Sequence, residues 1–152
     1  MERIERFTGQ HSFLSNFHPV VVELDGMTFP SVEHAFQAAK SLDPVDRARL
    51  ARALTPGHAK RLGRTLPLPP EWDTLRLEVM ARLLAQKFRT PYLRRALLAT
   101  GDAHLEEGNT WGDRFWGTCN GEGANHLGRM LMAVRAQLRE EERLTPSEGV
   151  PL

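Results

Sequence analysis

The stretch Asp25-Gly26-Met27-Thr28-Phe29-Pro30-Ser31-Val32-Glu33-His34-Ala35-Phe36-Gln37-Ala38-Ala39-Lys40 reads as a hairpin turn that runs directly into a helix. Asp-Gly before alternating residues signals a tight turn, because glycine accepts positive φ without a Cβ clash. Ser31 is placed to cap the free amides that follow it, and Val32, Phe36 and Ala39 form an apolar stripe at helical spacing. The expectation is a helix of about nine residues, 32–40.

Working outward, residues 2–7 and 20–24 favour extended structure, so a small N-terminal β-sheet is expected. Asp43-Pro44 and Thr55-Pro56 each pair a cap with a proline in the first helical turn, where a missing N–H costs nothing, and predict short helices near 44–53 and 56–62. Pro67-Leu68-Pro69-Pro70 is a rigid connector. Trp72, Leu75, Val79, Leu83 and Phe88 then recur at helical spacing over about 71–88, Thr90-Pro91 opens another helix closed by Gly101, and a final helix spans about 124–141 with Leu127, Leu131, Val134 and Leu138 on its buried stripe. The fold class is α+β, predominantly helical. With no alternating βαβ pattern, a doubly wound parallel sheet is not expected. Residues 1–143 are expected to form a single compact domain, and 144–152, with two prolines, Ser and Gly, a flexible C-terminal tail.

A chain of 152 residues with 41% apolar side chains suits one such domain. Twenty basic against nineteen acidic residues leave a charge of +1, so global charge argues against nonspecific coating of nucleic acid. Seventeen of the basic residues are Arg and three are Lys, which invites a question of each lysine; Lys60 and Lys87 are read as composition bias. The single Cys119 excludes an intramolecular disulfide and fits a reducing compartment. No window has the length of a membrane span, and the start of the chain lacks the apolar stretch of a secretion signal, so a cytoplasmic protein with no membrane partner is expected.

Three segments could carry chemistry. Glu33, Gln37 and Lys40, at i, i+4 and i+7, share one helix face, and Glu33 lies in the first turn, where the helix dipole favours its ionised form. That suits a carboxylate that stabilises positive charge or polarises water; the competing reading is a solvated stripe with a loose Glu–Lys pairing. Residues 108–125 hold a glycine-rich loop: six of the twelve glycines fall between 108 and 128, with two of the three tryptophans. Such a loop can bring backbone amides to a ligand and deliver an anion to the start of the last helix, with Trp116 or Trp111 stacking on a nucleobase and Asp113 supplying a second carboxylate. Equally, the tryptophans could be tucked into the core. In Leu14-Ser15-Asn16-Phe17-His18-Pro19, Ser15 and Asn16 could bind ribose hydroxyls or a base edge, or hold a turn before Pro19.

The basic run Arg47, Arg49, Arg52, Lys60, Arg61 and Arg64 could attract phosphate, though a solvated helical face explains it as well. The six histidines form no recognised zinc spacing with Cys119, so no metal is expected, and a lone thiol without a base partner is read as packing.

In order and spacing these segments resemble the YbiA-like or NADAR (NAD and ADP-ribose) family. The matching residues are Phe13-Leu14-Ser15-Asn16-Phe17 with Asp25-Gly26; Ser31 to Lys40; Lys87-Phe88; Leu97-Leu98-Ala99-Thr100-Gly101; Asn109 to Gly117; and Gly123 to Met132 with Arg135. The resemblance covers about residues 5–140. It implies a mostly helical domain acting on N-glycosidic bonds between a ribose phosphate or ADP-ribose unit and a base or amine. Members are associated with hydrolysis of reactive riboflavin-pathway intermediates, and others with removal of ADP-ribose from guanine in nucleic acid. The partner implied is a small-molecule ribosylated nucleotide, with ADP-ribosylated nucleic acid fitting the same reading, and no cofactor is called for. Glu33, Lys40 and Asp113 are the candidate catalytic residues. Phe13, Ser15, Asn16, Trp116, Gly117 and Asn125 are the candidate substrate-binding set. The alternatives are a noncatalytic ADP-ribose or NAD-binding module with the same pocket, and a nucleic-acid-binding domain using the basic run at 44–65.

Overall fold

Strand β2 (Pro19–Leu24) turns at Asp25 and Gly26 into antiparallel β3 (Met27–Ser31), with Leu24 opposite Met27. Both turn residues have positive φ, 51° and 87°, the two-residue geometry whose twist matches that of the strands it joins. The computed structural model describes residues 2–145. Its chain divides into two compact units, one spanning residues 8–90 and the other joining residues up to Phe7 to those from Pro91 onward.

In the first unit a 3-10 segment (Gly9–Leu14) precedes the hairpin, and β3 passes into α1 (Val32–Ala38). Ser31 caps α1 as its sequence position requires, Oγ accepting from the amide of His34 at 3.1 Å. His34 locks the same turn: Nε2 faces the Ala53 carbonyl at 3.0 Å and so must donate, leaving Nδ1 to accept from the Ser31 hydroxyl at 2.6 Å. Helix α1 is shorter than the expected nine residues. After Ala38 the chain tightens, Lys40 N bonding the Gln37 carbonyl and Ser41 N that of Ala38, so Lys40 sits on a turn just past the helix.

Helices α2 (Pro44–Ala51) and α3 (Pro56–Gly63) follow, capped by Asp43 and Thr55 with proline in the first turn of each. Long α4 (Trp72–Lys87) buries Trp72, Val79, Met80, Leu83 and Leu84, and Trp72 meets Phe36 of α1 with ring centroids 5.3 Å apart. Helix α1 is central, packing against α2, α3, α4 and both strands of the hairpin. Of the basic run, Arg47 is not a solvated residue: it is buried, donating to Asp25 at 2.8 Å and to the Ser41 carbonyl at 2.7 Å.

In the second unit β1 (Arg3–Ile4) pairs in parallel with β4 (His104–Leu105), so the first extended segment joins the C-terminal half of the chain and not the hairpin. A second parallel pair is β5 (Gly108–Asn109) with β6 (Thr118–Cys119). Helices α5 (Pro91–Ala99) and α6 (His126–Leu144) pack together over Leu93, Leu97, Leu105, Leu127, Leu131 and Leu138. Gly101, at φ 61°, follows α5, and buried Arg135 of α6 donates to Thr100 Oγ1 and the Ala103 carbonyl, both at 2.8 Å. Helix α6 starts at His126, not Ala124, because Asn125 adopts a left-handed conformation (φ 53°). It extends through Leu144, so the first residue of the expected tail is helical; 146–152 lie outside the described residues.

Candidate functional site

Glu33 and Gln37 of α1 are both buried, which sets aside the solvated-stripe reading of this face. A carboxylate taken out of water is tolerated only where donors face it. Gln37 supplies one, Nε2 to Glu33 Oε1 at 3.1 Å, and the Glu33 backbone amide is anchored on the Asn16 carbonyl at 3.1 Å. Lys40 is half-buried and donates to the carbonyl of Gly63, the last residue of α3, at 3.4 Å. The C-terminal end of a helix favours a cation there. Burial lowers the Lys40 pKa below its ordinary value, with Arg64 and Lys60 adding to the effect and the Glu33 carboxylate opposing it.

Two buried acceptors in this unit, Asn16 Oδ1 and Gln37 Oε1, have no hydrogen-bond partner. The Glu33 carboxylate and the half-buried Lys40 ammonium are thus brought near each other, while the two amide oxygens are enclosed, that of Gln37 against Gly63. Ser15 adopts the turn role, its Oγ accepting from the Phe17 amide at 3.1 Å; Asn16 is buried with Nδ2 on Met80 Sδ at 3.6 Å; Phe13 is half-buried.

Lys87 is the residue whose sequence reading fails. Its side chain is wholly buried and its Nζ donates to the Ser15 carbonyl at 2.8 Å, so composition bias does not account for it. The signal was present: Lys87 stands four residues after Leu83, on the apolar stripe of α4, in a chain that otherwise uses arginine. Burial brings its pKa down to about 7, and Lys87 in turn adds to the burial that lowers the pKa of His18.

The second unit holds Asp113, Trp116, Gly117 and Asn125. Asp113 and Asn109 clasp each other, Asn109 Nδ2 to the Asp113 carbonyl at 2.8 Å and Asp113 N to Asn109 Oδ1 at 3.0 Å. Asp113 Oδ1 takes the amides of Phe115 and Trp116 at 3.0 and 2.9 Å, so the carboxylate shapes the turn that carries Trp116. Trp116 is half-buried against Phe115 (centroids 4.8 Å), and Trp111 is 63% exposed; neither ring is a core residue. A Cβ on Gly117 would lie 1.9 Å from the Glu107 carbonyl oxygen, so only glycine fits there.

Asn125 is a structural bridge, Oδ1 accepting from Glu107 N at 3.0 Å and Nδ2 donating to the Leu105 carbonyl at 2.9 Å. The amides of Ala124, Asn125, His126 and Leu127 all donate to carbonyls of the preceding loop. The expected anion site at the start of α6 is thereby corrected, since the donors it needs are already used. A cavity of about 180 Å³ beside β5 and β6 is lined by Arg6 and Glu106 and by Gly108, Asn109, Thr118 and Asn120 of the glycine-rich loop, but by none of the candidate catalytic or substrate-binding residues. Among the described residues no group of three or more His, Cys, Asp or Glu side chains is placed to hold a metal ion, and no helix is long and apolar enough to cross a membrane.

The chain is thus a predominantly helical α+β protein with short two-stranded ladders and a buried Glu–Gln pair near half-buried Lys40. The NADAR domain matches residues 5–139, and the chain belongs to this family. It is 42% identical to the N-glycosidase YbiA of Shigella boydii serotype 4 (strain Sb227) over 132 residues, 84% of this chain and 82% of that protein. A riboflavin biosynthesis protein of Vibrio vulnificus (strain YJ016) is 41% identical over 135 residues, 86% of this chain and 36% of the relative. The NMR structure of the Escherichia coli protein YbiA superposes with a TM-score of 0.84 at 36% identity, covering 97% of this chain and 92% of that one.

Proposed function

We propose that the protein hydrolyses the N-glycosidic bond joining C1′ of a ribose phosphate or ADP-ribose unit to a base or amine. It is a hydrolase acting on N-glycosyl bonds, in keeping with its family and with relatives named N-glycosidase. The observation that carries the reading is the buried Glu33 carboxylate sharing a face with half-desolvated Lys40.

When the C1′–N bond breaks, its electron pair leaves with the nitrogen, positive charge develops on the sugar, and a water oxygen bonds to C1′. Glu33 stabilises that positive charge or takes the proton of the attacking water. Lys40 as an ammonium protonates the departing nitrogen or holds a phosphate; as a neutral amine it adds to the C1′ iminium of the ring-opened glycoside, the base nitrogen leaves with a proton, and water then hydrolyses the Lys40 imine to the free sugar aldehyde and amine. Gln37, donating to Glu33, and Asn16, whose carbonyl takes the Glu33 amide, orient that carboxylate. Within the other unit, Trp116 presents a half-buried ring on a turn that Asp113 fixes.

The Vibrio relative, of which this chain spans 36%, is named a riboflavin biosynthesis protein, and on that ground riboflavin-pathway ribosylamines are the first substrates to test. The test is a hydrolysis screen of ribosylaminopyrimidine phosphates against ADP-ribosylated guanine substrates, with release of the free base followed by chromatography and Glu33→Gln as the blank. Release by the wild type and not by the variant is expected. Binding without release from either substrate class would establish a noncatalytic module instead.

A further inference from the structure

Lys87 closes α4 on the same face as Leu83 and Leu84, and no part of its side chain reaches solvent. Its partners are a carbonyl oxygen and the Phe88 ring, whose centroid lies 5.2 Å from Nζ, and not a carboxylate. A buried ammonium without a counter-charge is costly, and an apolar side chain of similar length would serve the core as well or better. What the ammonium does supply is a donor to the Ser15 carbonyl, which also accepts the His18 amide at 3.1 Å and so closes the Ser15–His18 turn. The next carbonyl along, that of Asn16, receives the amide of Glu33.

We propose that Lys87 is a positioning residue for Glu33: by holding the Ser15 carbonyl from beneath, it fixes the Ser15–Asn16 turn whose next carbonyl anchors the first turn of α1. Lys87 does not touch substrate, because it is enclosed; it acts through the backbone on which Glu33 and the open oxygen of Asn16 depend. This inference rests on the reading of Glu33 as the reacting carboxylate.

The experiment is Lys87→Met in the full chain, with three readouts: kcat and KM on a ribosylaminopyrimidine phosphate, the thermal midpoint, and hydrogen exchange of the Glu33 amide by NMR. The expected result is at least a tenfold fall in kcat with KM little changed, a thermal midpoint equal to or above that of the wild type, and Glu33 exchange accelerated about tenfold or more. An unchanged kcat overturns the proposal whatever the exchange rate. A kcat that falls only together with the thermal midpoint and a rising KM also overturns it, since that is what a core residue would give. Because exchange is read without substrate, wild-type protein inactive on every N-glycoside would sink the functional reading while exchange at Glu33 still decides the positioning. Should the variant not fold, the Ser15 carbonyl and Glu33 amide resonances of the wild type are followed through neutral pH, with the His18 ring, the titratable group facing Lys87, recorded alongside. Movement of both with a midpoint distinct from that of His18 supports the linkage, and a Glu33 amide that stays put while the Ser15 carbonyl moves refutes it.

Discussion

Gly63 lies so close to Gln37 that a Cβ built on it would stand 1.9 Å from Gln37 Oε1 and 2.6 Å from Cδ, while its own carbonyl accepts from Lys40. One residue without a side chain thus touches two of the three polar groups on the α1 face. Gly63→Ala forces the Gln37 amide away and breaks its bond to Glu33. The expected cost is about 1–3 kcal/mol of stability from overpacking, read by urea denaturation, together with at least a tenfold loss of kcat. Gly57→Ala in the same helix is the control: its Cβ would meet nothing nearer than 3.7 Å, and the helix gains a better former, so neutrality or a slight gain is expected.

Lys40→Arg separates the two kinds of chemistry open to that amine. A guanidinium keeps a positive charge and cannot become a nucleophile, whereas burial has moved the Lys40 ammonium toward the neutral form. The variant is expected to lose turnover by about a hundredfold or more, the scale of a lost acid–base or nucleophilic group. Borohydride added to wild-type enzyme during turnover then assigns the role by mass spectrometry. An adduct on Lys40 establishes attack at C1′, and its absence assigns Lys40 to protonation or phosphate holding. Retention of most activity by Lys40→Arg would remove the amine from the reaction.

Much of this arrangement was legible in the sequence because it depends on local rules. Ser31, Asp43 and Thr55 cap helices where their side chains can reach free amides, and Asp25-Gly26 makes the turn that positive φ demands. What escaped was decided by neighbours distant in the chain. Arg3–Ile4 pairs with residues about a hundred positions away, and no local pattern distinguishes that partner from the nearby hairpin. Lys87 finds Ser15 across 72 positions, so its burial could be suspected from the stripe of α4 but not its acceptor. Asn125 matched the family as well as Asn16 did, yet one has both ends of its amide satisfied and the other an open oxygen.

Asp113 is where shaping a loop and doing chemistry can be told apart. Asp113→Ala leaves the Phe115 and Trp116 amides without their acceptor and is expected to cost about 1–3 kcal/mol, with KM rising as Trp116 shifts. Asp113→Asn keeps an Oδ1 acceptor, and an activity within about threefold of wild type is expected if the turn is what matters. A loss in the Asn variant as deep as in the Ala variant would show that the charge itself is used.

Asn125→Asp tests the bridge in the same unit from the other side. The Oδ1 acceptor for Glu107 N survives, but the donor to the Leu105 carbonyl becomes an oxygen facing an oxygen. Thermal denaturation is expected to show a loss of about 1–3 kcal/mol, larger than that of Asp113→Asn, because both groups at this contact are acceptors in a buried setting. A variant as stable as wild type would mean the bridge does not hold the start of α6.

The buried ammonium of Lys87 also makes stability depend on pH in a definite direction. Its pKa is about 7 in the folded chain and returns to its ordinary 10.5 on unfolding. Between those values the unfolded chain holds a proton that the folded one has released, so raising the pH favours folding; below about 7 both states are protonated and the contribution is flat at its least favourable. His18, held below its ordinary 6.5 by burial and by Lys87, titrates beneath that window. Lys87→Met removes the titration altogether. The stability of wild type relative to this variant, from urea denaturation across about pH 6 to 9, is expected to be level at the acid end. It should then rise by up to roughly 1.4 kcal/mol per pH unit above neutrality. Two parallel curves over the whole range would mean that Lys87 keeps its proton throughout, and that the turn beneath Glu33 is held by a permanent charge.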